Sequence, residues 1–172
     1  MTIILKPLRL LNNFLTYVTF TIAMAIVAIM VSALGLSAVT RYISGTGYDW
    51  FIELPPVLIS WLVFPLIGPL YKSKSHINVD LVKSFFSSKQ LVIINAFANL
   101  IALFSAVIFF KAGLDATLMY FNLGQVMELE IEIPIWWMYA AFPTGFLIFG
   151  LFALELVLTD INRFILKSTI RI

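Results

Sequence analysis

Four long apolar runs divide the chain, and its polar residues are concentrated between them. The runs extend over residues 14–39, 50–71, 91–113 and 134–158. A membrane-spanning helix needs about 20 mostly apolar residues, so each run is long enough to cross a bilayer. The pattern therefore predicts an all-α integral membrane protein with four transmembrane helices, in which residues 1–172 form a single membrane domain.

Proline residues interrupt the second and fourth runs. The second run contains Pro55, Pro56, Pro65 and Pro69, and the fourth contains the sequence FPTG at residues 142–145. Proline has no backbone N–H and its ring clashes with the preceding turn of a helix. We therefore expect the second span to be short and kinked, and the fourth span to bend at FPTG.

Two segments between the runs have patterns of their own. Within residues 79–88, apolar side chains recur four residues apart, which places them on one face of a helix. This pattern predicts a short amphipathic helix on the membrane surface, with Asn78 as its candidate N-cap. The stretch MELEIEIPIWW, residues 127–137, alternates apolar and acidic residues, which indicates an extended, strand-like segment.

The composition agrees with a membrane protein and excludes several classes of function. Hydrophobic residues make up 62% of the chain and charged residues 12%, whereas soluble domains average about 25% charged residues. The chain has no cysteine, which excludes disulfides, zinc–thiolate sites and cysteine nucleophiles. The net charge is only +2, so the expected partner is the lipid bilayer and not nucleic acid.

The basic residues predict how the chain is oriented. Nine of the eleven lie at the N-terminus, between the second and third runs, or after the fourth run, and only Arg41 and Lys111 lie on the other side. Because loops rich in lysine and arginine stay in the cytoplasm, both termini and residues 72–89 are predicted to be cytoplasmic. Trp50 and Trp136 then lie at the outer border, where amphipathic rings are enriched.

The charged residues within the runs are expected near the membrane borders. Lys111 lies twenty residues after Leu91, about 30 Å along a helix, which predicts a position near the outer border. Asp115 follows one turn later, so Lys111 is a candidate ion-pair partner for Asp115 or for Glu53. Border anchoring or a structural ion pair is favoured over a proton relay from Glu53 to Lys111.

The third run carries a stripe of small and polar residues on one helix face. Its members recur at spacings of three and four residues, and small residues allow membrane helices to approach closely. Two interpretations stay open: a contact inside the helix bundle, or a docking surface for a separate subunit. The stripe consists of Asn95, Ala98, Asn99, Ala102, Ser105 and Ala106.

The only histidine, His76, is followed four residues later by Asp80. These two side chains would provide two metal ligands, and no third ligand is near in sequence, whereas structural zinc sites use four. The stretch is therefore predicted to fix a cytoplasmic loop. No catalytic, cofactor or metal site is expected in this chain.

Two motif blocks resemble the small membrane subunit of TRAP transporters, the Q-type or DctQ-like permease. The first block contains a tryptophan and an acidic residue that open span two, another tryptophan within it, and a His-Ile-x-Val-Asp motif. The second block is an Ile-Pro-x-Trp opening of span four followed by Pro-x-Gly. The residues that match are Trp50, Glu53, Trp61, His76, Asp80, Pro134, Trp136, Pro143 and Gly145.

The resemblance implies a non-catalytic function for this chain. Such a subunit would be a scaffold in a sodium-coupled system that imports an organic acid, of the sialic-acid or C4-dicarboxylate class. Its partners would be a large multi-span membrane subunit, which holds the sodium and substrate sites, and a periplasmic substrate-binding protein. The resemblance further implies a position in the bacterial inner membrane. Because the sequence ends after span four, the separate, unfused type of subunit is expected, and of the two acid classes sialic acid is favoured.

Two other classes of function are alternatives to the scaffold. A small integral-membrane enzyme should bring several His, Asp or Glu residues to one depth, and a single histidine argues against it. A small carrier or channel that acts alone should carry an ionisable group in the middle of a span, where none is expected.

Overall fold

The computed structural model describes residues 2–47, 49–73, 88–128 and 132–169. The elements in these ranges are α1 (Thr2–Ser44), α2 (Trp50–Lys72), α3 (Ser88–Leu123), β1 (Val126–Met127), β2 (Ile133–Pro134), α4 (Ile135–Tyr139) and α5 (Ala141–Thr169). Helices α1, α2, α3 and the α4–α5 pair are each long and apolar enough to cross a membrane. The prediction of an all-α protein with four transmembrane helices is thereby confirmed.

Two of the predicted features fall outside the described residues. His76, Asn78 and Asp80 lie there, as does the predicted surface helix up to residue 87. Residue 88 is the first residue of α3. These features stay predictions.

Helix α2 is continuous from Trp50 to Lys72 although it contains four prolines. Three of the four, Pro55, Pro65 and Pro69, are buried, as is Gly68. Membrane helices tolerate proline where packing against neighbouring helices compensates for the missing backbone hydrogen bonds. The prolines therefore do not end the span, which keeps all of its 23 residues helical.

The fourth span is broken at Ala140, three residues before Pro143. Proline cannot donate a backbone hydrogen bond, so Pro143 leaves the carbonyl of Tyr139 without its usual helical partner. The backbone N–H of Ala140 closes α4 by donating to the carbonyl of Trp136 at 2.9 Å, and that of Thr144 starts α5 by donating to Ala140 at 3.3 Å. The bend predicted at FPTG thus falls just before that sequence.

Helices α2 and α5 form the centre of the bundle. Helix α1 packs mainly against α2, and α3 packs mainly against α5. The central helices approach closely at Gly145, where an added Cβ atom would lie 2.5 Å from the backbone oxygen of Phe64. Phe152 of α5 is fully buried, whereas the outward faces of α1 and α3 expose large apolar side chains, as expected of surfaces that meet other apolar groups in a membrane.

The acidic segment before α4 is partly extended. Strands β1 and β2 pair antiparallel, with Val126 opposite Pro134 and Met127 opposite Ile133. The strand-like pattern therefore predicts the extended backbone of Met127 and of residues 133–134, whereas residues 135–137 belong to the helix α4. Glu128 and Glu132 are exposed beside the strands, and residues 129–131 lie outside the described ranges.

Candidate functional site

A buried carboxylate on α5 connects three helices. Glu155 is only 4% exposed. Its Oε2 atom accepts hydrogen bonds from Asn12 Nδ2 of α1 at 2.7 Å and from Lys72 Nζ of α2 at 2.8 Å. Arg9 Nε lies 3.7 Å from the other carboxylate oxygen. We call Arg9, Asn12, Asn13, Lys72 and Glu155 the Glu155 cluster.

The other members of the Glu155 cluster add further polar contacts, although the buried Oδ1 atom of Asn12 accepts no hydrogen bond from the described residues. Asn12 Nδ2 also donates to the carbonyl of Leu151 at 3.2 Å. Lys72 Nζ lies 3.5 Å from Asn13 Oδ1 and 5.6 Å from the centre of the Phe152 ring, which is within the range of a cation–π contact. Burying a charge is costly unless it is paired and hydrogen-bonded, and the Glu155 carboxylate meets both conditions.

A second polar network joins α3 to the same end of the bundle. Asn99 of α3 accepts a hydrogen bond from the Tyr71 hydroxyl of α2 at 2.8 Å, and its Nδ2 donates to Asp160 of α5 at 2.7 Å. We call these three residues the Asn99 network. Because Tyr71 and Lys72 are neighbours in α2, the two networks together link all four spanning units at one level.

Aromatic rings fill the other half of the bundle. Trp61 Nε1 donates to the carbonyl of Trp137 at 3.1 Å, and the two ring centres lie 5.6 Å apart. The rings of Tyr120 and Tyr139 have centres 4.3 Å apart. These contacts connect α2 and α3 to α4, so the short helix α4 is held on both sides.

An apolar cavity of about 440 Å³ lies next to these rings. Phe64, Phe109 and Phe142 form part of its wall, and Ser60 and Tyr139 are among the few side chains there that carry a polar group. Apolar walls fit an acyl chain or an apolar side chain better than an organic acid. Within the described ranges, no group of three His, Asp or Glu residues is placed to hold a metal ion.

The small-residue stripe of α3 is directed largely toward α5. Ala106 is 1% exposed and would lie 3.6 Å from a Cβ atom added at Gly150, and Asn99 belongs to the Asn99 network. Ala102 and Ser105 are half-buried, whereas Asn95 and Ala98 are exposed. Of the two interpretations of the stripe, these contacts favour the one inside the bundle.

The described residues of the two motif blocks contribute to packing. The Trp61 side chain donates a hydrogen bond to α4. The ring of Trp136 packs edge-on against that of Phe121, with centres 5.6 Å apart. Pro143 is buried beside Gly113. Gly145 provides the close approach of α2 and α5. The others are Trp50 and Glu53, both half-buried in the first turn of α2, and Pro134, which lies in β2.

Lys111 and Asp115 are both exposed on α3. Within the described part of the chain, no ion pair joins these two side chains to each other; the ion pairs found there are made by Glu155 with Arg9 and with Lys72. The structure therefore does not bring Lys111 and Asp115 together as the pair that their spacing suggests.

The sequence patterns do not identify the Glu155 cluster or the Asn99 network as a set of residues. Arg9 and Lys72 are predicted on the cytoplasmic side, and Glu155, twenty-one residues after Pro134, is expected near the same membrane border. That shared depth was the available signal. It could not identify the pairs, because 143 residues separate Asn12 from Glu155 and 83 separate Lys72 from Glu155. Asp160 lies beyond the predicted fourth span, and nothing in its surroundings pointed to Asn99.

The fold and its polar contacts define the class of protein. Four spanning units, held together by buried polar networks, make this chain a multi-pass membrane protein. The family model for tripartite ATP-independent periplasmic transporters, DctQ component, matches residues 29–163. The chain belongs to this family. It is the small membrane subunit of a TRAP transporter and not an enzyme, which confirms the resemblance. No curated protein matches the chain.

Proposed function

We propose that this chain is the scaffold subunit of a sodium-coupled TRAP transporter that imports an organic acid. The transported acid is of the sialic-acid or C4-dicarboxylate class. The large membrane subunit holds the substrate and sodium sites, and a periplasmic binding protein delivers the substrate. The chain lies in the bacterial inner membrane with both termini in the cytoplasm.

The observation that carries this proposal is that the buried and half-buried polar side chains bind one another across the helix contacts. The carboxylate of Glu155 is occupied by Asn12, Lys72 and Arg9, and both amide atoms of Asn99 are occupied by Tyr71 and Asp160. Groups that bind a transported ion or substrate must exchange their partners during transport. Groups that bind one another across helix contacts instead fix the helices in place, as a scaffold requires.

The proposal is tested by uptake into proteoliposomes under an inward sodium gradient. Three preparations are compared in the presence of the binding protein: this chain alone, the large subunit alone, and the two together. Radiolabelled sialic acid and a C4-dicarboxylate are used as substrates. We expect uptake of one of these acids only with both subunits present, and loss of uptake when the sodium gradient is removed.

Two results would contradict the proposal in different ways. Uptake by this chain alone would show that it is a carrier in its own right. Uptake by the large subunit alone at the full rate would show that the small subunit is not needed as a scaffold.

A further inference from the structure

Lys111 lies near the middle of the helix bundle and not at its edge. Gly113, two residues later, packs against Pro143 of α5. Pro143 precedes Glu155 by twelve residues, or about 18 Å at roughly 1.5 Å per residue. Lys111 is therefore about 15 Å from the level of the Glu155 cluster. Counting residues along α3 from Leu91 places Lys111 at a different depth, near the border. The count differs because the first residues of α3 extend beyond the level at which Asn99 meets Asp160.

We place the hydrocarbon region between the two ends of α2. Lys72 and the Glu155 cluster mark one end, and Trp50 marks the other, 22 residues away. That separation corresponds to about 33 Å of helix, close to the hydrocarbon thickness of about 30 Å. Lys111 is thus near the middle of the bilayer, and Asp115 is about 6 Å farther along α3.

Both charged side chains point away from the rest of the described structure. Lys111 and Asp115 share one face of α3 with Phe104 and Leu118, which are 69% and 49% exposed. The opposite face carries Ala106, which packs on α5. Lipid tails offer neither an acceptor for the ammonium group nor a donor for the carboxylate, so charged residues at this depth almost always face protein or a water-filled cavity.

We propose that the face of α3 around Lys111 and Asp115 docks onto the large membrane subunit. The facing helix supplies a carboxylate or carbonyl oxygen for Lys111 and a hydrogen-bond donor for Asp115. The two exposed charged side chains carry this assignment, because the large apolar residues of the same face would be equally satisfied by lipid. It rests on the proposed function, in which a second membrane polypeptide is an obligatory partner.

The charges are tested by measuring how tightly the two subunits associate in nanodiscs. Lys111→Met is expected to weaken association by about tenfold or more, and Asp115→Leu to weaken it as well. Lys111→Arg should restore most of the affinity, because it keeps the charge. Lys6→Met removes an exposed cation from the N-terminal end of α1 and serves as the matched control, with no expected change.

A cross-linking experiment identifies what occupies the face. The chain has no native cysteine, so Ile108→Cys and Leu118→Cys can each carry a single benzophenone group, next to Lys111 and Asp115 on α3. Photolysis of the purified complex in nanodiscs is expected to join either position to the large subunit. Adducts with a second copy of this chain, or with lipid alone, would overturn the proposal.

Failure of the inference can be told apart from failure of the proposed function. If the wild-type chain and the large subunit do not associate at all, the proposed function is wrong. If they associate normally but Lys111→Met and Asp115→Leu change nothing, or the labels miss the large subunit, then only the docking face is wrong. Thermal unfolding of each variant alone, compared with wild type, excludes misfolding as the cause of weaker association.

Discussion

At the scale of single residues, the carboxylate of Glu155 joins α5 to α1 and α2. Its carboxylate is almost fully buried, and it receives hydrogen bonds or ion-pair contacts from two other helices. A buried pair of this kind adds little net stability compared with well-packed apolar residues, but removing one partner leaves the others desolvated without compensation. Substitution of Glu155 should therefore cost more than the net value of its bonds.

We expect Glu155→Gln to lower the free energy of unfolding by about 2 kcal/mol. The loss is smaller than for a fully buried pair, because the side chains of Lys72 and Arg9 are 29% and 54% exposed and water screens them. Thermal unfolding of the purified chain in detergent measures the effect. Glu128→Gln, which changes an exposed acid beside β1, is the control, and equal effects of the two substitutions would contradict the role of Glu155.

The sequence places Glu155 near the inner membrane border as a prediction, but it does not identify the partners of its carboxylate. Hydropathy and basic-residue counts predict how deep in the membrane a residue lies, because apolar segments cross the bilayer and basic loops stay on the cytoplasmic side. They contain no information on which helix lies beside which. Lys111 shows the same limit in another form: counting residues from the start of an apolar run does not give the level of a residue relative to the neighbouring helices.

Among the helices, the contact between α2 and α5 depends on one position without a side chain. At Gly145 the two backbones are closer than a Cβ atom would allow. The sequence identified Gly145 through a motif block, and the Pro143–Gly145 spacing predicted a bend. It did not reveal that the glycine faces Phe64, since that contact depends on how the two spans are rotated about their axes.

Gly145→Ala should push α2 and α5 apart and destabilise the chain by about 1–3 kcal/mol. Its Cβ atom would lie 2.5 Å from backbone atoms of Phe64, which cannot rotate away. Gly150→Ala in the same helix is the matched control, because its nearest neighbour would be Ala106 at an ordinary 3.6 Å. Thermal unfolding in detergent should show a loss for Gly145→Ala only; a loss of equal size at Gly150 would contradict this account.

The stripe on α3 gives a second prediction for helix packing. Ala106→Leu is expected to destabilise the isolated chain by about 1–3 kcal/mol, because it overfills the contact with α5. Val107→Leu, one residue later on the exposed side, should leave stability unchanged. The same unfolding measurement checks both variants. A stable Ala106→Leu chain that no longer binds the large subunit would instead favour the docking interpretation of the stripe.

At the scale of the whole molecule, the predicted orientation in the membrane rests on charge and not on packing. The described helices would pack equally well in either orientation, whereas nine of the eleven basic residues lie in the sequence segments predicted to be cytoplasmic. The sequence predicted the four-helix membrane architecture because hydropathy alone is enough to recognise long apolar helices. The order of packing, with α2 and α5 central, came only from the structure.

Single cysteines test the orientation directly. We expect Tyr42→Cys, whose parent side chain is 92% exposed at the end of α1, to react with a membrane-impermeant maleimide added to intact spheroplasts. Lys6→Cys, at the other end of the same helix, should react only after the membrane is permeabilised, because basic ends stay in the cytoplasm. The cysteine-free wild-type chain is the blank, and the reverse pattern of labelling would refute the orientation.

The position of Glu155 in the last helix has a consequence for biosynthesis. Asn12 and Lys72 leave the ribosome long before Glu155 is made, so the first two helices enter the membrane while their main polar partner does not yet exist. Their anchoring contact can close only after α5 has been translated and inserted. A nascent chain that stops before α5 would therefore expose two unmatched polar groups, the kind of incomplete packing that persists during the folding of longer chains.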